Sequence, residues 1–467
     1  MKKKQKIVDI STKSFLSAIA VLLFFLVLAT VLTYVLPKGK FFVGENGETD
    51  YSKYLAIDAS GINIFKAIFS PVLVFFTDGF LQPLMLSIFL LVIAGVFQVM
   101  LDCGGMQAIV SRLVNAFKEK RLLFLAILTF FFMCLGSFFG LFEETLILLP
   151  MVVTVCVSLG YDAFMGFLVC SLATGVGFSV ALTNPFTVVY SSNYIGADVF
   201  SGLWFRALAF LTFYAILFGF IYLHSLKLKK QQPELAEKEF NQAEYSQEAE
   251  DNKTFLSWTL FLIVALVCLI TFTAISFLRD LSTPLLAVVF LIGGAIAGCV
   301  SFGFKKSLNS FGKGAVGTLP AVVMISLAFA IKFILVEGQI LDTITNFIAT
   351  TIDGKSKYLT VLILFGIILI LEFFISSSTA KAVFVMGVLS GVITSGGLSN
   401  SKELLVLIYV FSDGFTNMLF PTSPCLLIGL SMTGQGYTDW LKKSKFLFPI
   451  IFAVTIGFIL LATFIGY

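Results

Sequence analysis

Apolar runs of the length a helix needs to cross a bilayer recur eleven times along the sequence. They lie near residues 15–36, 81–101, 121–140, 164–182, 203–223, 255–278, 284–302, 316–335, 358–375, 403–420 and 446–466. That recurrence excludes most folds at once. A soluble chain of 467 residues has no core able to hide 58% hydrophobic residues, and only 12% of this chain is charged, against roughly 25% in soluble domains. Lipid around a helical bundle removes the difficulty, so the chain reads as an all-α, multi-pass protein of the bacterial plasma membrane. The first run, Ser17–Leu36, is about twenty residues long and lacks a small-residue cleavage site, so it is expected to be retained as a span rather than removed as a signal peptide.

Charge placement gives the orientation. Basic clusters at Lys2–Lys6, Arg112–Arg121, Lys227–Lys230, Lys305–Lys313 and Lys442–Lys445 can all face the cytoplasm if the N-terminus lies inside. Phe41–Ile62 then falls outside. A net charge of +4, confined to these short runs, gives no footing for a nucleic-acid partner. The seven cysteines form no CxxC pair and sit mostly in apolar runs, as small core residues. His224, the single histidine, ends a span beside a basic run and reads as interfacial. Residues 227–253 form the one strongly polar stretch, a cytoplasmic linker between an N-terminal membrane half (1–226) and a C-terminal half (254–467).

The two halves share a pattern. Four shorter or interrupted apolar stretches, near 62–79, 141–158, 383–398 and 422–433, do not parse as full spans. In the first half GSFFGLFEETLILLP (136–150) precedes TNPFTVVYSSN (183–193). In the second, FISSSTAKAVFVMG (374–387) precedes FSDGFTNMLFPTSPCLL (411–427). Each half therefore holds a polar insertion near a candidate hairpin (136–158 and 374–398), then a polar break (183–193 and 411–427). Thr183-Asn184-Pro185 and Thr422-Ser423-Pro424 look like counterparts. Non-helical backbone at membrane depth survives only when buried in protein or lining a wet cavity. Such breaks free carbonyls that suit Na+ and expose half-helix N-termini that suit a substrate carboxylate. The bland alternative is that Ser, Thr and Gly merely let helices pack closely, but it does not account for two matching pairs.

Ionisable residues inside apolar sequence sharpen the picture. Glu143, Glu144, Glu372, Lys381 and Asp413 each cost several kcal/mol in a bilayer unless partnered or used. Glu143 and Glu144 would sit about 100° apart on an α-helix, and Lys381 could balance one of the acids. Asp78, Asp102 and Lys332 lie nearer span ends, where snorkelling accounts for them. Four acids against one lysine suit a cationic or zwitterionic cargo better than a doubly negative one. The candidate substrate contacts are Glu143, Glu144, Thr145, Thr183, Asn184, Ser377, Ser378, Thr379, Asp413 and Asn417. The candidate ion-coupling positions are Asn184, Pro185, Thr187, Ser376, Thr422 and Ser423. No cofactor is expected beyond Na+ or H+ as the coupling ion.

FGLFEETLILLP, LGYDAFMGFLV, GVGFSVALTNPFTVVYS, SSSTAKAVFVMG and FSDGFTNMLFPTSP together resemble the YfcC-type branch of the DcuC (C4-dicarboxylate anaerobic carrier) family, from about residue 15 to the C-terminus. The resemblance implies two inverted repeats, each with a re-entrant hairpin and an interrupted helix, an elevator-like motion, and a homodimer. It also implies a carrier of amino acids, including arginine/ornithine exchange, or of dicarboxylates or peptides. At the second hairpin the family's S-G-S and M-P give way to Ser376-Ser377-Ser378 and Met386-Gly387, a stiffer tip without a fixed kink. The expected function is therefore secondary transport of amino acids, basic ones foremost, with C4-dicarboxylates or short peptides as the alternative cargo. An intramembrane hydrolase fits poorly. Tyr161-Asp162 has the form of one aspartyl-protease motif, but Asp413 sits in F-S-D-G rather than G-x-G-D, and one histidine cannot make H-E-x-x-H.

Overall fold

The computed structural model describes residues 12–43, 49–77, 81–231, 252–275, 278, 281–340, 342–343, 346–347, 355–374, 385–386 and 402–467. Each of the eleven apolar runs contains a helix. Six described helices are long and apolar enough to cross a membrane. Phe304–Gly317 and Val322–Glu337 reach that length and apolarity only when taken together, across a bend of 42°. Leucine, isoleucine and phenylalanine side chains stay exposed along the outer helices, among them Phe464, Leu211 and Leu260. In a chain of this composition such faces belong against lipid.

Three points depart from the sequence reading. First, the fold is not entirely helical. Lys38–Val43 and Thr49–Ile57 pair as an antiparallel β-hairpin, with Lys38 opposite Ile57 and an irregularity between Phe41 and Phe42. It is pinned to the bundle where the Phe41 amide donates to Asp342 and Tyr54 pairs with Thr343. Second, helix Leu203–Gln231 runs straight through the lysines placed at the start of the linker, and the next helix begins at Asn252. Third, Asp102 does not snorkel. It accepts hydrogen bonds from Gln98 (3.0 Å) and Ser310 (2.6 Å), which clamps helix Leu81–Asp102 to helix Phe304–Gly317.

The centre of the bundle is built from two interrupted helices, buried on all sides over Phe164–Ser179 and Leu404–Asn417. The first core helix runs from Ala163 to Ser179, breaks, and resumes at Pro185–Val189 and Tyr190–Ile195. The second runs Lys402–Asn417, breaks, and resumes at Pro424–Met432. Their contacts pair up in reverse order along their whole length. Lys402 reaches Gly196, Gly414 lies on Ser179, Gly175 faces Met418, and Gly429 meets Phe167. The two core helices are therefore antiparallel. The crossing is tight because a Cβ on Gly414 would fall 2.3 Å from Ser179 Oγ. Each break begins within a turn of that crossing, on opposite sides of it.

A hairpin completes the first half. Its outgoing arm, Arg121–Phe139, lies parallel to the first core helix, since Gly177 packs on Met133 and Ser137 bonds residues 180–183. Its return arm, Glu144–Ile147 followed by Leu149–Ser158, is antiparallel to that helix, with Gly166 against Val153 and Cys170 against Thr145. The hairpin tip thus reaches the depth of the first break. Three of the basic clusters gather at one end of the bundle: Lys118–Arg121 beside Lys229, Arg112 beside Asn252, and Lys443 beside Asp162. The proposed second hairpin, with Ser376, Ser377, Ser378, Thr379 and Lys381, lies outside the described residues.

Candidate functional site

The first break is ordered by one side chain of the hairpin tip. Ser137 Oγ donates to the Val180 carbonyl (3.1 Å) and accepts from the Leu182 amide (3.0 Å). The Ser137 carbonyl accepts from the amides of Leu182 and Thr183 as well. Thr183 Oγ1 donates to the Phe138 carbonyl. Buried backbone polar groups have to be paired, and here the neighbouring strand of hairpin backbone does it. The tip itself turns at Gly140, whose φ of +69° is a glycine conformation. A Cβ there would fall 2.3 Å from Asn184 Oδ1, so tip and break touch.

The helix resumes in a way that local sequence dictates. Asn184 is its N-cap, with Oδ1 accepting from the Phe186 amide at 2.9 Å, and Pro185 takes the first helical position, where a missing amide proton costs nothing. The cap fixes which end of the side chain is oxygen. The other atom, Nδ2, is fully buried and makes no hydrogen bond among the described residues. One turn on, the Thr187 hydroxyl is likewise buried without a partner. Such groups are uncommon and call for an explanation. They sit at the positive end of the resumed helix.

The second break has the same start and a different closure. Ser423 is an N-cap, its Oγ accepting from the Leu426 amide, and Pro424 again takes the first turn. The match between Thr183-Asn184-Pro185 and Thr422-Ser423-Pro424 is thus a match of structure as well as of letters. The carbonyls freed at the end of Lys402–Asn417 are satisfied from the basic end of the bundle. Trp440 Nε1 donates to Met418 O and Tyr437 Oη donates to Leu419 O, each at 2.9 Å. Both donors belong to the short amphipathic helix Tyr437–Ser444.

The remaining candidates divide. Asp413 is fully buried on the second core helix, next to the Gly414 crossing. Helix Lys402–Asn417 also packs along the resumed first helix Pro185–Ile195. Asn417 is buried and donates to the Asp413 carbonyl of its own helix. Thr145 spends its hydroxyl on the Phe142 carbonyl, which makes it a brace of the hairpin. Ser423 is occupied as a cap, and Thr422 is buried beside it. Glu143 is half-buried and directly precedes a 3-10 turn that opens at Glu144. Ser137, Tyr437 and Trp440 escaped the sequence reading. Ser137 was legible only as part of a polar insertion, while Tyr437 and Trp440 carry the signal of two hydrogen-bonding aromatics three residues apart on a charged helix.

The geometry also bears on the hydrolase alternative. Asp162 N-caps the first core helix, accepting from the Met165 amide, and pairs with His224 at 3.2 Å. Asp413 lies level with the far end of that helix, 17 residues on, or about 25 Å away at 1.5 Å per residue. No aspartyl dyad can form across that span.

A family model described as DcuC, C4-dicarboxylate anaerobic carrier, matches residues 15–464. The chain belongs to this family. One relative, the Escherichia coli (strain K12) protein named "Putative basic amino acid antiporter YfcC", is 24% identical over 394 residues, covering 81% of this carrier and 77% of the relative. An uncharacterized protein of Haemophilus influenzae (strain ATCC 51907 / DSM 11121 / KW20 / Rd) is 25% identical over 395 residues, covering 80% and 74%. The crystal structure of the Alcanivorax borkumensis YdaH transporter superposes with a TM-score of 0.43 at 15% identity, over 97% of this chain and 98% of that one. Family membership and the many apolar helices point to a membrane transporter rather than an enzyme.

Proposed function

We propose that this carrier moves basic amino acids such as arginine or ornithine, by uptake coupled to H+ or Na+ or by exchange. The observation that carries the reading is Asn184. Its Nδ2 is a hydrogen-bond donor, buried in mid-bundle without a partner among the described residues, at the positive end of a half-helix. A donor in that position suits the α-carboxylate of an amino acid, and an oxygen-seeking cation would need an acceptor instead. Na+, if used, then falls to oxygens such as Thr187 Oγ1. Asp413 on the crossing helix suits the cationic end of the cargo, and Glu143 at the hairpin tip adds a second acid. The name of the Escherichia coli relative favours the same cargo. The family description favours the alternative, a C4-dicarboxylate, whose second carboxylate would meet Asp413 as a like charge.

The test is counterflow in proteoliposomes loaded with unlabelled arginine, with labelled arginine, ornithine and succinate outside, under imposed Na+ and pH gradients. Accumulation of arginine or ornithine well above succinate is the expected result, and Asp413→Asn should weaken arginine more than a neutral amino acid. Succinate accumulation that exceeds arginine would replace this cargo with the dicarboxylate.

A further inference from the structure

The transport site leaves a basic cavity unused at the end of the bundle where the lysine clusters gather. Its volume is about 440 Å3. Most of its wall is formed by the turn that leads into the hairpin's outgoing arm, with Lys118 and Lys120, the arm's first residue Arg121, and helix Leu203–Gln231, with Tyr222 and Lys229. Tyr161, from the turn before the first core helix, closes a third side. Glu119 is the one carboxylate among these lining residues, against four cations. Lys118, Lys120 and Lys229 make no ion pair among the described residues. Like charges held together in a concave site repel one another and raise the local potential, so the site favours an anion.

Position says which anion. Arg121 opens one membrane span and Lys229 closes another, so the cations sit at the depth of lipid headgroups. Leu122 and Leu123 line the same cavity yet are 39% and 49% exposed, and Tyr222 is 40% exposed. The opening therefore faces the bilayer, with apolar side chains toward acyl tails and a tyrosine at the interface, where amphipathic rings collect. A soluble metabolite has no use for exposed leucines at the mouth of its site.

We infer that this cavity binds the phosphate headgroup of an anionic phospholipid such as phosphatidylglycerol. The headgroup would bridge the hairpin arm to helix Leu203–Gln231, a seam also crossed by the hydrogen bond from Tyr214 Oη to the Ala126 carbonyl. This inference stands apart from the cargo, because its readout is lipid retention rather than uptake.

The experiment uses the full-length protein in detergent, titrated with phosphatidylglycerol or phosphatidylcholine and read by native mass spectrometry. Wild type should retain phosphatidylglycerol in preference to phosphatidylcholine. Lys118→Gln/Lys120→Gln/Lys229→Gln should bind it about a hundredfold more weakly, at about fivefold per lysine near an anionic headgroup. The corresponding triple arginine variant should keep the adduct, and so should Lys305→Gln/Lys306→Gln, whose charges lie on another helix. Equal retention of the two lipids, or an unchanged adduct in the triple glutamine variant, overturns the site. Displacement of the lipid by millimolar inorganic phosphate overturns the lipid as its ligand in favour of a soluble phosphate. Residues 232–251, which follow Lys229 closely, carry seven acids and one lysine. If wild type retains no lipid until those acids are replaced by glutamine or asparagine, the occupant is the chain's own acidic segment and the inference fails.

Discussion

The two breaks begin alike and are held differently. Both open with a capping side chain and a proline, Asn184-Pro185 and Ser423-Pro424. At the first, the hairpin tip supplies the backbone partners through Ser137, and that leaves the Asn184 amide without a partner among the described residues. At the second, the capping group is a hydroxyl rather than an amide, and the freed carbonyls are closed off by Tyr437 and Trp440. We read the difference as a division of roles. The first break has its backbone settled and a side chain to spare, which is what a binding position needs. The second has its backbone settled by a helix at the basic end, which is what a seal needs.

The sharpest way to break this comparison is to remove both caps. Asn184→Ala should lower uptake by about 10- to 150-fold, the cost of one hydrogen bond to a charged group, while Ser423→Ala should cost only the cap, about 1 kcal/mol of stability, and leave uptake within a few-fold. Equal losses of uptake would make the two breaks functionally equivalent. Next in size is Ser137→Ala. It strips the Val180 carbonyl of its donor in a buried site and should cost about 2–3 kcal/mol, seen in thermal unfolding of the detergent-solubilised protein. If its unfolding matches wild type, the hairpin tip does not hold the break. Trp440→Phe keeps the ring among Phe164, Phe167 and Phe448 but deletes the donor to Met418 O, for about 1–2 kcal/mol. A seal loosened in this way should also raise the leak of preloaded substrate; a tight vesicle would count against the sealing role.

What could be read from the sequence follows from how local the chemistry is. The T-N-P and T-S-P breaks were legible because capping and the first-turn proline are decided by adjacent residues. The apolar runs were legible because lipid exposure selects composition over about twenty residues at a time. Ser137 was not, since its partners Val180 and Leu182 lie 43 and 45 residues away. The β-hairpin was missed although Tyr51, Lys53 and Leu55 carry a two-residue alternation, because a stretch between spans invites a loop reading. The antiparallel crossing at Gly414 and Ser179 is a long-range glycine contact with no local signature. His224 read as interfacial because its acidic partner sits 62 residues earlier in the chain.

That last pair gives the smallest prediction, at the end of the bundle opposite the hairpin tip. Burial pushes the Asp162 carboxyl up, but the hydrogen bond and charge of His224, the Met165 amide and nearby Lys443 outweigh it, so its pKa lies below the ordinary aspartate value. A lowered pKa means the folded state prefers the carboxylate. Its contribution is complete above about pH 4, the usual aspartate range, and drains away as pH falls through the folded value. Because Asp162 is 36% exposed, solvent screens the pair to under about 1 kcal/mol. Asp162→Asn should therefore melt slightly earlier than wild type at neutral pH, with the gap closing below about pH 4 as the wild-type carboxylate is protonated. A gap that widens on acidification would mean that His224 and Lys443 do not hold this carboxylate, and the basic end would then lack the anchor that Ser137 provides at the tip.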